Sequence, residues 1–591
     1  MLEVRRVGFA GLVCLLLGLP LALACASPPE EGGAPEQAAA AAPAPVGPVT
    51  TVYRAARIHT MDPARPVATA VAVREGRIVA VGDAQALTRE LGPDARLDER
   101  FATKTLLPGF VDNHLHPILA ALVLPMEFAT PFAWDLPGRR VEGVLGRPAF
   151  VARLRALESA HPLAAPLFVW GYHPFFHDAL SRADLNGISH DRPIVVWHRS
   201  FHELIANDAA LAWMGLAEED VAGHAGVDWE RGHFFETGLP LALAKLTPTL
   251  LAPDWLARGL ELTARAVHAG GVTTIADMGV GTFDLARELA AMREHLETPD
   301  TPFRTLLVPN ALALFDALGA YGAYARIGEL ESEGGERLRT AHQIKLFSDG
   351  AFYSQLMQMS EGYSDGHEGV WLMTPDELLE TARPYWNAGY QIHVHANGDL
   401  GVRAALDALE ALERTVPRAD HRFTLHHVGY STEAQAARIA ELGALVSANP
   451  WYLWSLGEAY SVHGLGPERA AHMVRLGALV RAGVPVSLHS DFTMAPVQPL
   501  RLAWVAANRI TAGGNVFAPD ERLDVAQALR AVTSDAAFAI GMENEIGSIE
   551  AGKRADFTVL ERDPLEGPPE ALGDVPIWGT VFEGRPFPIE P

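Results

Sequence analysis

Short apolar runs alternate with stretches of helical period along most of the chain. Near its start, Ala68-Thr69-Ala70-Val71-Ala72-Val73 and Ile78-Val79-Ala80-Val81 flank Arg74-Glu75-Gly76-Arg77. Two apolar runs around a glycine-bearing turn predict a β-hairpin. The C-terminal end repeats the pattern: Ile546-Gly547-Ser548-Ile549, a turn at Gly552-Lys553, then a strand over Ala555–Leu560. Residues 50–106 and 540–591 are therefore read as one small β-sandwich domain split in sequence. Between them lie eight strand candidates: Gly109–Asn113, Val272–Ala276, Phe303–Val308, Gln343–Phe347, Gln391–His395, Phe423–His427, Ala444–Ala448 and Val484–His489. Helical patterns such as Leu400–Arg414 and Glu433–Leu442 separate the later ones. Such alternation predicts an α/β fold with a parallel sheet and crossover helices. Eight units predict a (β/α)8 TIM barrel over 107–539. The competing doubly wound sheet normally opens on a Gly-rich phosphate loop, and none is found here.

Asn113 and Val272 stand too far apart for a simple βα unit. An insertion after the first barrel strand, about 120–258, fills the gap. It holds Phe132, Trp134, Trp170, Tyr172, Phe175, Phe176, Trp197, Phe201 and Trp213. These are read either as the core of an inserted subdomain or as a lid lining an apolar pocket beside the barrel mouth. Trp451-Tyr452-Leu453-Trp454 points to the same kind of pocket.

The N-terminus changes the picture. Arg5 and Arg6 precede an apolar run from Val7 to Ala24, a charged region followed by a hydrophobic one. Its end, Leu21-Ala22-Leu23-Ala24-Cys25, resembles a bacterial lipoprotein signal. The expectation is export, cleavage before Cys25 and lipid anchoring through Cys25 on the periplasmic or outer side of a bacterial membrane. Residues 26–49, rich in Ala and Pro, read as a disordered tether. The only two cysteines are Cys14 and Cys25, so the body has no disulfide or thiolate site and any metal falls to His, carboxylate or modified Lys. Apolar residues make up 49% of the 591, which suits a large core, and the net charge of -25 argues against nucleic acid as a partner.

The densest chemistry is Leu107-Pro108-Gly109-Phe110-Val111-Asp112-Asn113-His114-Leu115-His116-Pro117. His114 and His116, two apart in extended backbone, point the same way at the end of an apolar strand. Lys345 interrupts the apolar strand Gln343–Phe347, where a buried ammonium is costly. It is read as snorkelling outward, as pairing with Asp349, or as an amine that has reacted with CO2 to give a metal-bridging carbamate. His393 and His395 share a face at the next strand end, as do His489 and Asp491 at the last. His426 and His427 are adjacent, so alternation lets at most one of them face the barrel axis. The ends of strands one, four, five, six and eight thus carry His, His, Lys, His, His and Asp, and in a barrel those ends meet at one mouth.

This order of motifs resembles the amidohydrolase superfamily, in the branch that contains N-substituted formamide deformylases and YtcJ-like hydrolases. The resemblance spans about residues 50 to 588. It includes Leu107–Asp112, Lys345–Gly350, His395-Ala396-Asn397-Gly398-Asp399, Gly271-Val272-Thr273-Thr274, the segment from His202 to Leu211, and the closing Gly547–Asp556. It implies that His114 and His116 bind one divalent ion, zinc foremost, with Asp491 as a further ligand. Lys345 would be the carbamate bridge, and His395 and His427 would hold a second ion. His426 stands where the branch usually has Glu, and His489 where it has Gly. His202, Asp349, His393, His426 and His489 are candidates for supporting or substrate-contacting roles. The implied reaction is hydrolysis of a small molecule's amide-like, non-peptide C–N bond by metal-activated water, with Asp491 moving the proton. The alternatives are an ester, lactone or ring-amine substrate, or a surface lipoprotein that binds ligand without catalysis.

Overall fold

The computed structural model describes residues 49–92, 95–160 and 165–589. The expected signal, Cys25 and tether fall within 1–48, apart from Val49, and so lie outside the described residues.

The middle of the chain carries β1 (Phe110–Leu115), β2 (Val272–Val280), β3 (Arg304–Pro309), β4 (Gln343–Phe347), β5 (Gln391–Ala396), β6 (Thr424–His427), β7 (Leu445–Ala448) and β8 (Val486–Leu488). All pair in parallel. β1, β2 and β3 form one sheet, with Leu338–Thr340 beyond β3. β4 to β8 form a second in chain order. A bridge from Asn310 to Lys345 links β4 to the residue after β3. On the other side, the Asp491 amide donates to the His114 carbonyl (2.9 Å). Helices such as Asp399–Thr415 after β5 and Glu433–Glu441 after β6 alternate with the strands. The arrangement is TIM-barrel-like. Its strands are buried nearly end to end, the reason they stand out as continuous apolar runs.

Between β1 and β2 the insertion builds a six-stranded sheet, in the order Val227–Asp228, His233–Phe235, Glu203–Ala206, Ile194–His198, Leu167–Tyr172, Glu127–Phe128. Trp170, Tyr172 and Trp197 are buried in it, Trp134 is buried in a separate two-stranded ribbon, and Phe201 reaches the cavity described below.

Strands from both chain ends share a seven-stranded sheet, ordered Arg585–Pro588, Ile577–Phe582, Phe557–Leu560, Ala95–Pro108, Thr50–His59, Val67–Arg74, Arg77–Gly82. They join one continuous sheet rather than two facing ones. The long strand Ala95–Pro108 makes this possible, pairing with Thr50–His59 over most of its length and with Phe557–Leu560 at its end. Thr558 fastens this sheet to the starts of two barrel strands. Its Oγ1 accepts from the Phe110 amide (3.0 Å) and its hydroxyl donates to the Gly271 carbonyl (2.7 Å). The opposite ends of β1 and β2 are left for chemistry. No helix among the described residues is long and apolar enough to cross a membrane.

Candidate functional site

β1 delivers His114 and, one residue past its end, His116. Asp491 follows β8 with φ +52°, off the strand pleat. Its Oδ1 lies 3.4 Å from His116 Nε2 and 3.8 Å from His114 Nε2, and its Oδ2 3.8 Å from His427 Nδ1. Asp277, near the end of β2, stands behind His116, with Oδ1 3.6 Å from Nδ1. Burial works against charge on His116, but Asp277 and Asp491 together raise its pKa to about 9.

His427 and His489 meet with Nδ1 and Nε2 3.2 Å apart, and the Tyr452 hydroxyl is 3.3 Å from the same His427 nitrogen. Both rings of the His426-His427 pair approach His114, with centroids 4.7 and 4.6 Å away. The expectation that only one would face inward fails here. His427, the last residue of β6, has φ +76° and leaves the alternation of the strand. His426 sits deeper, bonded to His114 (2.7 Å) and His393 (2.8 Å).

Two groups of donors lie close enough to hold a cation: His114, His116 and Asp491, and His114, His427 and His489, the atoms within each group being no more than 4.8 Å apart. Imidazole nitrogens with one carboxylate suit a divalent ion of the zinc type. Lys345 is buried nearby, and its Nζ has no hydrogen-bond partner among the described residues. Burial pulls its pKa down to about 7, against the attraction of Asp491. Burial also holds His114, His427 and His489 well below the usual histidine value.

His395 belongs to neither of these two groups. His395 Nε2 instead faces Asn397 Nδ2 at 2.9 Å, while its ring stacks edge-on against His427. Asp349 does not pair with Lys345. Its oxygens accept from the amides of Gln358 (2.9 Å), Asn397 (2.8 Å) and Gly398 (2.8 Å). His202, on the insertion, reaches the rim with Nδ1 3.3 Å from Glu236. Burial opposes its charge, yet Glu236 raises its pKa overall. Of the side chains named above, all but His393, His426, Asp349, Gln358 and His489 line a cavity of about 450 Å³ whose other walls include Phe201, Phe283, Phe347, Leu312 and Met494.

Asp277 was not anticipated from sequence. It lies one residue beyond the expected end of the second strand, so the strand-end criterion that selected the others also selects it once the strand is extended. Gln343, which holds His393 at 3.2 Å, gives no such signal, because glutamine at a strand start is unremarkable.

Residues 103–587 match the profile of the amidohydrolase family. The chain belongs to the amidohydrolase family. This amidohydrolase is 27% identical to the N-substituted formamide deformylase of Arthrobacter pascens over 553 residues, 90% of this chain and 96% of that protein. It is 26% identical to protein LONG AFTER FAR-RED 3 of Arabidopsis thaliana, over 85% of each chain. Its fold matches an uncharacterized metal-dependent hydrolase of Pyrococcus horikoshii OT3 with a TM-score of 0.68 at 20% identity, covering 88% of this amidohydrolase and 99% of that chain. The protein is a hydrolase, as its motifs predicted.

Proposed function

We propose that this amidohydrolase is a metal-dependent enzyme that cleaves an amide-like, non-peptide C–N bond of a small molecule, an N-formyl or N-acyl amine in the first instance. The observation that carries the reading is the convergence of His114, His116, His427, His489 and Asp491 into groups able to hold a cation, all but His489 at the wall of one cavity. The deformylase likeness over nearly the whole chain supports the choice of bond.

A bound divalent ion would lower the pKa of water from 15.7 to about 7 and so supply hydroxide at neutral pH. His114, His116, His427, His489 and Asp491 are the residues at hand to hold it. Asp491, only 12% exposed and flanked by His116 and His427, is placed to take the proton of the attacking water and pass it to the leaving nitrogen. Asp277 keeps His116 turned toward Asp491. The apolar walls shed water from the reacting group and favour an apolar substituent on the amide. The finer assignment, with Lys345 as a carbamate and His395 beside a second ion, belongs to the same proposal.

The test is a panel of N-formyl and N-acyl amines, esters, lactones and ring amines, run before and after chelation and with zinc restored. Amide turnover that vanishes with the metal and returns with it is the expected result. Asp491→Asn should keep the fold and lower turnover by roughly two to four orders of magnitude. Wild-type turnover in Asp491→Asn, or turnover indifferent to chelation, refutes the mechanism.

A further inference from the structure

His489 is only one of several donors at hand for the ion, and His393 and His426 have no task in the proposed chemistry. Their hydrogen bonds can be followed outward to main-chain carbonyls, and the direction of each bond then fixes where the protons sit.

Gln343 Nε2 donates to the Ile540 carbonyl (2.8 Å), which turns Oε1 toward His393 Nε2 at 3.2 Å. An amide oxygen only accepts, so His393 carries its proton on Nε2 and its Nδ1 is bare. His426 Nε2 lies 2.8 Å from that Nδ1 and donates to it, leaving its own Nδ1 bare. His114 Nδ1, 2.7 Å away, must then be the donor. His114 thereby presents an unprotonated Nε2, the nitrogen that faces Asp491.

A second chain ends at β7. Ser487 Oγ donates to the Val446 carbonyl (3.3 Å) and accepts from Asn113 Nδ2 (2.8 Å). Asn113 Oδ1 accepts from Ser447 Oγ (2.8 Å), and the Ser447 oxygen then accepts from His489 Nδ1 (2.8 Å). His489 is left with a bare Nε2 facing His427. The His114 and His489 rings stack 4.6 Å apart at 25°, so the two chains aim two lone pairs from neighbouring parallel rings. His114 is common to both groups of donors, and His489 adds a second bare imidazole nitrogen beside it.

We infer that His489 is itself a metal ligand, that His114, His427 and His489 form an all-imidazole cation site, and that Gln343 and Ser447 are positioning residues that set its tautomers. The inference rests on the metal-dependent reading of this cavity. Ring-nitrogen donors select zinc, cobalt, nickel or copper over magnesium and calcium. Partners that orient a ligand are commonly worth 10–100-fold in metal affinity.

The experiment titrates full-length, metal-stripped protein with Zn2+ and Co2+, following heat and the visible Co2+ spectrum, alongside His489→Ala, Gln343→Leu and Ser447→Ala. His489→Ala should weaken binding by at least about 100-fold and change the Co2+ spectrum, and the two positioning variants should weaken it by about 10–100-fold. Nitrogen-15 histidine spectra of the unaltered apoprotein need no variant to fold. They should show Nδ1–H at His114 and His489, and Nε2–H at His393 and His426. Wild-type protein that binds neither ion overturns both this inference and the metal-dependent reading. Tight wild-type binding with unchanged affinity and spectrum in His489→Ala overturns the inference alone, as does an Nε2–H tautomer at His489.

Discussion

Lys345 is the least settled side chain of the site in energetic terms. It sits on β4, 1% exposed, with no partner for its Nζ among the described residues. With its pKa pulled to about 7 by burial, much of the amine is neutral at physiological pH. Only the neutral amine can attack CO2, so protein supplied with carbon-13 bicarbonate should show one carbamate resonance that is missing from Lys345→Met. The same burial carries a stability cost. Unfolded lysine keeps its proton up to about 10.4, so the folded state is penalised fully below pH 7 and progressively less as pH rises toward that value. Metal-free Lys345→Met should therefore be more stable than metal-free wild type by a few kcal/mol at pH 6, with a smaller gain at pH 9.5, and should stay inactive when metal is restored. Equal gains at both pH values in urea denaturation would rule out the buried ammonium as the cause. Sequence could place Lys345 in an apolar strand, and it could gather His114, His116, His427 and Asp491 by their strand ends. It could not foresee the inward turn of both His426 and His427, because the φ of +76° at His427 breaks the alternation on which the parity argument stands. The link from Gln343 to His393 joins residues of neighbouring strands, and only the register between β4 and β5 creates it.

At the scale of elements, the joint between β4 and β5 holds the floor of the cavity. Asp349, two residues past β4, collects amides from the following loop and from the end of β5, and it sits against the N-terminal end of the helix Asp399–Thr415. That end of a helix favours a carboxylate. The approach is so close that a Cβ on Gly401 would lie 2.4 Å from Asp349 Oδ1. Gly401→Ala should push the carboxylate off its amides, cost about 1–3 kcal/mol as an overpacked core does, and lower turnover by disturbing His395 and Asn397. An unchanged melting temperature would show that the joint yields more easily than its geometry indicates. This joint also explains why the barrel was legible while its seams were not. The window Gln343–Phe347 coincides with β4 and the others lie within a few residues of theirs, because strands buried on both faces must be apolar throughout. What an acid just beyond such a strand will bind depends on which loop returns to it, and no local pattern encodes that.

For the whole molecule, the question is how a sheet assembled from both chain ends holds the base of the barrel-like body. Arg304, the first residue of β3 and fully buried, answers part of it. Its guanidinium pairs with Asp556 beside the strand Phe557–Leu560 and with Glu583 (3.3 Å), and it lies 4.6 Å from the Phe582 ring centre. Asp556 in turn accepts from the Glu583 amide (2.8 Å), and its own carbonyl accepts from the Gly109 amide just before β1. One buried ion pair thus binds β3, the entry to β1 and the C-terminal strands. Removing one partner of such a pair strands the other charge, typically at a cost of 3–5 kcal/mol. Arg304→Met should lower stability by about that amount, although it lies at the far end of the strands from His114. Adding Asp556→Asn should recover part of the loss, since the amide still accepts from Glu583 but carries no charge. Equilibrium unfolding of the two variants beside wild type measures this directly. If the second substitution deepens the loss instead, the carboxylate matters to the sheet through its own hydrogen bonds more than through Arg304, and the C-terminal strands are held without the ion pair.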